Sequence, residues 1–576
     1  MGNKTLTTRG LFGWLLAGWV VVNLLQAAFT GISNDEAYYA LWGQHLDWGY
    51  FDHPPMVALF TFLSSLLAPG ALGVRLMTVL AQALTLWLVW RLLEESGLKK
   101  SDDTVLSFFI VAASLVMVAA LGFVTTPDVP LLLFAALFLL NYRRFLQRAN
   151  WANLLLLGLS MAGMVYSKYQ SVLVIGFIVL SNPRLLLNLR FWLSGLLALL
   201  LLAPHVYWQY LNDFPSFQYH LVARSAAFKW AYFLEFLPNQ LAVFNPLTLG
   251  LVIYVLVKRR SADVFERGLR FVIVGFLLFF WAMAFRGHVE PHWTVVASLP
   301  MLILLVREAA VQPRVRRFIH TWVLGSLGLV LLARVALLIP ATAAKAHFYT
   351  APTYEAIAAV AGDVPVVFGS SFQKPSLYTF HSGRLSTTVS SINNRRTQFD
   401  LWQWERGLEG QRVFVCANIE GRSQVYTVGD QRIEGFFVES FRATQRLVVT
   451  TDLPESGASA PGDTVRAMVT VFNPYPYAVQ ADDSVMPVRV VPSLFTRKVK
   501  RKCEVVPPAA SVGAAPVWSA PNALNLAPGA SLTTPMVFVV PDDMPAGTYN
   551  LIVTTEGLFG PALGNRLHAW KVCTQN

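Results

Sequence analysis

The stretch GLFGWLLAGWVVVNLLQAAFTGISNDEAYYALWGQHLDWGYFDHPP (residues 10–55) decides how the rest of the chain is read. Its first half is apolar and free of charge. It is long enough to cross a hydrocarbon core, which takes ~20 helical residues. Its second half carries Asp35, Glu36, His45, Asp47, Asp52 and His53. The apolar run is long for a leader peptide, and no clear small-x-small cleavage site precedes the polar loop. We therefore expect an uncleaved first span followed by an ionisable outer loop.

The remaining sequence extends that pattern. Of 576 residues, 55% are hydrophobic and 14% charged, against about 25% charged in soluble domains. This excludes a disordered chain and a purely cytosolic enzyme, and predicts a polytopic membrane protein. Three cysteines and the lack of a CxxC pair exclude a disulfide scaffold and a structural zinc. Eleven apolar runs are expected as spans, near 10–30, 71–92, 104–124, 129–142, 151–167, 169–182, 191–210, 241–257, 271–285, 293–306 and 318–340. Of the net charge of +12, residues 1–340 supply +10. Nineteen of their 25 Lys and Arg fall in alternate gaps between runs. That alternation predicts positive-inside loops, a cytoplasmic N-terminus and an outer C-terminal region. It argues against a nucleic-acid partner.

From about residue 344 the periodicity changes. VPVVFGSS (364–371) and QRVFVCAN (411–418) read as buried strands. KPSLYTFHSG reads as a helix ending at Gly383, and QFDLWQWERGLEG (398–410) as another helix. After SGASAPGD (456–463) come short alternating segments, TVRAMVTVFNP, SVMPVRVVP, ASLTTPMVFVVP and GTYNLIVTTEG, punctuated by Pro and Gly. The expected architecture is an all-α membrane domain (1–343), an α/β domain (344–450) and a β-sandwich (451–576). Cys503 and Cys573 are read either as a disulfide or as two free buried thiols.

Ionisable groups beside spans are costly and so are functional candidates. The outer gaps collect Asp35, Glu36, Asp52 and His53 in the first loop, Asp128 in TTPD, Lys168 in YSKYQ, and Arg286, His288, Glu290 and His292 in RGHVEPHW. Each has a plainer reading. Asp35 would cap a helix, with Glu36 near its positive end. Asp128 would cap the fourth span, Lys168 would snorkel, and His288 and His292 would be solvated. Tyr207, Trp208 and Tyr210 read as interfacial belt residues. Convergence on one side of the membrane is what favours a site.

No nucleotide sugar or ATP is available outside a membrane, so group transfer there needs a preactivated lipid. A polyprenyl-phosphate sugar is such a donor. Transfer needs a carboxylate to deprotonate an acceptor hydroxyl, which Asp35 suits. It needs cations for the leaving phosphate, for which His53, Lys168, Arg75 and Arg286 are candidates. A divalent metal ion on Asp52, with His288, Glu290 or His292, is an alternative for that role. Tyr38, Tyr39, Glu290, His292 and Trp293 are the substrate-binding candidates.

In chain order, NDEAYYALWGQHLDWGYFDHPPMVALF, LGVRLMTVL, TTPDVPLLLF, GMVYSKYQSVL and VEPHWTVVASLP resemble the polyprenyl-phosphate-dependent glycosyltransferases of the C-type membrane fold. The resemblance is to glycosyltransferase family 39 and the lipid A aminoarabinose transferases, over about residues 1–340. It implies an inverting transfer in one displacement. Asp35 matches the family's first-loop acidic residue, base or organiser of the acceptor, with Glu36 beside it. Asp128 matches the second outer acidic residue, near the acceptor or a metal. Lys168 matches a basic residue near the donor phosphate, with Tyr169 where a glycine is usual. Asp52 and His53 match a carboxylate–basic pair before Pro-Pro, where the aminoarabinose branch has Lys as the basic member.

The implied partners are a polyprenyl-phosphate (undecaprenyl) sugar donor, membrane lipids and an outer acceptor: lipid A, a polysaccharide or a protein hydroxyl. A bacterial inner membrane is the expected location. A lipid-linked glycan transporter is the competing reading; it predicts charges at mid-membrane and repeated halves, neither of which the sequence shows. A third reading, a membrane anchor for an outer binding module, leaves the acidic loops unexplained.

Overall fold

The computed structural model describes residues 7–223, 228–389, 396–480, 483, 486–496, 499–506, 525–562 and 566–574. It divides into two compact units, Met1–Thr350 and Ala351–Asn576.

The first unit is helical. Its opening elements are α1 (Thr8–Phe29), α2 (Asn34–Gln44), α3 (Met56–Ser65), α4 (Gly70–Glu95), α5 (Asp102–Ser114), α6 (Val116–Ala120), α7 (Asp128–Gln147) and α8 (Trp151–Ser167). Among the described residues five helices are long and apolar enough to span: α1, α4, α7, Pro291–Val311 and Pro313–Ala336. The count is seven if two bent pairs are single spans. The eleven apolar runs are therefore not eleven long helices. The run at 104–124 breaks at Leu115 into α5 and α6. The run at 191–210 bends by 44°, and Trp230–Phe244 meets Pro246–Lys258 at 100°. Asn245, at positive φ, makes the second bend, and its side chain caps the following helix through Leu247. α3 is an apolar helix that the run count leaves out.

α2 starts the site. Ser33 is its N-cap, and Ser33 and Glu36 form a capping box. The side-chain cap is thus Ser33, not Asp35, because only the residue before the first turn can reach the free N–H groups. Tyr38, Tyr39 and Trp42 are buried on the other face. Thr61 of α3 donates its hydroxyl to the Tyr39 carbonyl at 2.9 Å. Gly43 is what lets these helices touch: a Cβ there would lie 2.4 Å from the Thr61 hydroxyl.

The second unit opens with a five-stranded sheet of β1 (Val366–Phe368), β2 (Ser386–Thr388), β3 (Val413–Cys416), β4 (Gln424–Val428) and β5 (Gln431–Val438), in the order β2-β1-β3-β5-β4. β2, β1 and β3 are parallel, and the others antiparallel. The helix Gln373–Ser382 ends at Gly383 in the left-handed region (φ 69°), as read from sequence. The expected single helix over 398–410 is broken instead. Gln398–Trp402 stops at Gln403 (φ 55°), and a 3₁₀ turn, Trp404–Leu408, follows.

Beyond it, strands Thr464–Phe472, Ser531–Val539, Val448–Thr451 and Glu504–Val506 form one sheet. Arg489–Phe495, Gly547–Gly557, Leu567–Val572, Ser456–Ser459 and Lys500–Lys502 belong to the other. Alternate residues of Thr464–Phe472 are buried, and Val469, Val471, Phe538, Leu551 and Val553 share one core. Residues 484 and 485 of the segment SVMPVRVVP lie outside the described residues. Cys416, Cys503 and Cys573 are free thiols, so the disulfide alternative does not hold.

Candidate active site

Two buried ion pairs organise the loops that carry the candidate residues. The first joins Glu36 of α2 to Arg75 of α4, both side chains fully buried. Arg75 donates to both Glu36 carboxylate oxygens at 2.7 Å. Its remaining N–H groups go to the carbonyls of Ala27, Thr30 and Gly31 at 2.7–3.0 Å. A guanidinium has five N–H donors, and all five are spent. Arg75 therefore has none for a phosphate, which corrects its assignment as a donor-binding residue. Glu36 accepts further from the Ser33 amide and hydroxyl and from the Thr125 amide. Its lone pairs are committed, so it is a framework residue rather than a catalytic one. A lone cation near outer carboxylates reads from sequence like a ligand group; only the fold shows the bidentate partner 39 positions away.

The second pair joins Asp128, the first residue of α7, to Lys168, which follows α8. The Lys168 ammonium donates to both carboxylate oxygens, at 2.8 and 2.9 Å. The two side chains are 2% and 6% exposed. The plainer readings of both fail. Asp128 makes no side-chain cap bond, since Pro127 is the N-cap. Lys168 is buried against a carboxylate, not extended toward head groups. Two of its three N–H bonds are used, leaving one. His292 Nε2 lies 3.8 Å from Asp128.

The TTPD turn links the two pairs. The Thr125 amide is on Glu36, its hydroxyl bonds Thr78 at 2.7 Å and the Val74 carbonyl, and Asp128 comes three residues on.

Tyr39 reports what lies between them. α2 is not among the candidate spans. Burial, and then the carboxylates of Asp35, Asp52 and Asp128, hold the Tyr39 phenol well above its ordinary value of 10. Three carboxylates far apart in sequence thus act on one hydroxyl. Asp35 is exposed on α2, while Asp52 is buried.

A ring of aromatic and imidazole groups closes the other side. The His53 ring lies 6.2 Å from Tyr39 and 6.2 Å from His220. His220 Nε2 is 2.9 Å from the Asp52 carbonyl oxygen. The Tyr169 hydroxyl lies 3.0 Å from His205 Nε2 and accepts from Gln209 at 2.9 Å. His205, His220 and Gln209 were not among the sequence candidates. His205 had a signal, being an imidazole inside the run at 191–210. Trp208 is buried and donates to Asp47 at 2.7 Å, so the belt reading is wrong for it. Tyr207 and Tyr210 are exposed, as a belt requires.

The RGHVEPHW loop contributes unevenly. His292 reaches Asp128, and the Trp293 carbonyl accepts from Gln170 at 2.9 Å. His288 pairs instead with Glu290 at 3.7 Å and packs on Tyr232. Arg286 is exposed. Among the described residues no group of three or more His, Cys, Asp or Glu is arranged to hold a metal ion. His288 instead lies against Glu290, and Asp52 is buried.

Residues 52–208 match the family model of dolichyl-phosphate-mannose-protein mannosyltransferases. ArnT from Cupriavidus metallidurans in the apo state covers 73% of this chain and 97% of its own at 12% identity, with a TM-score of 0.54. The same protein bound to undecaprenyl phosphate covers 73% and 98% at 14% identity, with a TM-score of 0.56. No curated protein sequence matches. The likeness to these structures is one of fold.

The family match begins at Asp52 and takes in His53, Asp128, Lys168 and His205. The helical unit also has an apolar groove of about 560 Å³, lined by Leu46, Trp48, Pro55, Met56, Leu59 and Tyr166, with Asp47 at one side. Leu46, Trp48 and Leu59 expose much of their surface there. Exposed apolar groups in such a cleft suit an apolar ligand.

Proposed function

We propose that this membrane glycosyltransferase carries a sugar from a polyprenyl phosphate to an acceptor hydroxyl on the outer side of a bacterial inner membrane. The single observation that carries the reading is the buried pair of Asp128 with Lys168 at the ends of two helices, with His292 beside it and an apolar groove in the same unit. The acceptor oxygen attacks the anomeric carbon. Its proton passes to Asp35, which is exposed and so open to a substrate. The bond from the anomeric carbon to the phosphate oxygen breaks on the opposite face, so configuration inverts. Polyprenyl phosphate leaves, held by the remaining Lys168 N–H and by His53. The groove from Pro55 to Tyr166 takes the first isoprene units. Tyr38, Tyr39, His292 and Trp293 border the sugar; Arg286, His288 and Glu290 are left to the acceptor side.

The cytoplasmic N-terminus and the outer position of residues 344–450 and 451–576, read as an α/β domain and a β-sandwich, rest on the alternating cationic loops. The acceptor is lipid A, a polysaccharide or a protein hydroxyl.

Asp35→Asn tests the reading. Purified variant in liposomes, given radiolabelled polyprenyl-phosphate sugar and an envelope extract, should lose ~10²–10⁴-fold in transfer rate while melting like the native protein. Transfer at the native rate would end the assignment of Asp35 as base.

A further inference from the structure

The second unit holds its own cleft, of about 320 Å³. Asp400, Gln403, Glu405, Arg406, Gln445 and Arg446 supply most of its polar wall, and Leu447 and Pro474 an apolar one. The left-handed turn at Gln403 ends one helix and starts the 3₁₀ turn that carries Glu405. Glu405 is 4% exposed and Gln445 8%.

These two residues are only half satisfied. Glu405 Oε1 accepts from Arg446 Nε at 2.5 Å, but Oε2 has no hydrogen-bond partner. Gln445 Oε1 accepts from the Thr444 amide at 3.1 Å, but Nε2 has none. Both residues line the cleft, and a buried acceptor and a buried donor left without partners are costly, so folded proteins rarely keep them without a use. The ligand that fills both must donate to one and accept from the other. A carboxylate or phosphate only accepts, and an ammonium only donates. A hydroxyl does both. The exposed Arg406 adds donors at the rim, and Val448 and Pro474 offer a surface for C–H groups. Asp400 is committed elsewhere, since its carboxylate accepts from the Thr397 amide at 2.7 Å.

We propose that this cleft binds a sugar unit of a glycan through neighbouring hydroxyls, with Glu405 Oε2 as acceptor and Gln445 Nε2 as donor. This deepens the transferase reading and rests on it in one respect: it makes the acceptor a glycan rather than a bare protein hydroxyl. The binding itself needs no donor lipid and no turnover.

The test uses the full chain in detergent micelles, titrated with hexose and pentose oligosaccharides of about four to six units, without donor. Binding is read by saturation-transfer NMR and tryptophan fluorescence. The native protein should bind saturably. Glu405→Gln and Gln445→Leu should each weaken binding by about tenfold or more. Arg406→Ala, on the exposed rim, should weaken it while melting like the native protein, which guards against variants that lose binding by unfolding. Because binding is read without donor, failure of the transfer chemistry is told apart from failure of this site. No saturable binding to the native chain overturns the proposal. So does equal binding by the native protein and all three cleft variants.

Discussion

Lys168 holds both carboxylate oxygens of Asp128, at 2.8 and 2.9 Å, with neither side chain more than 6% exposed. α7 begins at Asp128, and α8 ends just before Lys168. The pair therefore fastens the start of α7 to the end of α8. Breaking a buried pair from one side strands a charge, which costs about 3–5 kcal/mol. Lys168→Met and Asp128→Leu should each lower the melting temperature in micelles. The double variant should recover much of that loss, because it leaves no charge unpaired. All three should be inactive. Additive losses in the double variant would mean the pair is not coupled.

Arg75 and Glu36 predict a different signature. Arg75→Lys keeps the charge but cannot make the fork to Glu36 while also reaching three carbonyls. It should unfold earlier, by an amount in the range of about 3–5 kcal/mol for a broken buried pair. What remains folded should bind donor lipid with native affinity, because the residue touches no phosphate. A selective loss of donor affinity without a change in melting would return Arg75 to the phosphate site.

These two pairs show how far the sequence could be read. Asp128 and Lys168 were legible as candidates because each is an ionisable group at the end of an apolar run. Their pairing was not, since nothing in a spacing of 40 residues names a partner. Ser33 hid the true role of Glu36: S-x-x-E is a capping box by spacing alone, yet the adjacent Asp35 drew the cap reading. The apolar runs and the long helices differ in number for a related reason. Hydropathy sees an apolar run at 104–124 or 241–257, but not that Leu115 or Asn245 breaks the helix that contains or precedes it. The strands with strict alternation, such as Thr464–Phe472, were read correctly because period 2 needs no tertiary information.

The groove makes a prediction about chain length in the donor. Leu59→Asp puts a charge on an apolar wall lined also by Leu46, Trp48 and Met56. It should raise KM for a full-length polyprenyl-phosphate sugar about tenfold or more. KM for a donor with a single isoprene unit should hardly move. Equal effects on both donors would place the isoprenoid elsewhere.

Tyr39 gives a pH test that needs no substrate. Burial first, and then Asp35, Asp52 and Asp128, raise its phenol well above 10 in the folded protein. The unfolded chain releases that proton near pH 10, so above about pH 10 the native state holds more protons than the unfolded state. Its contribution is then lost as pH rises, by up to about 1.4 kcal/mol per pH unit until the folded group also titrates. Tyr39→Phe should remove that part of the alkaline slope in melting curves taken between about pH 9 and 11. Asp35→Asn, by deleting one of the three carboxylates, should bring the folded phenol down, read as phenolate absorbance that appears at lower pH than in the native protein. An unchanged phenolate titration in Asp35→Asn would mean that Asp35 does not face this hydroxyl, and the base would have to be sought at Asp52 or Asp128.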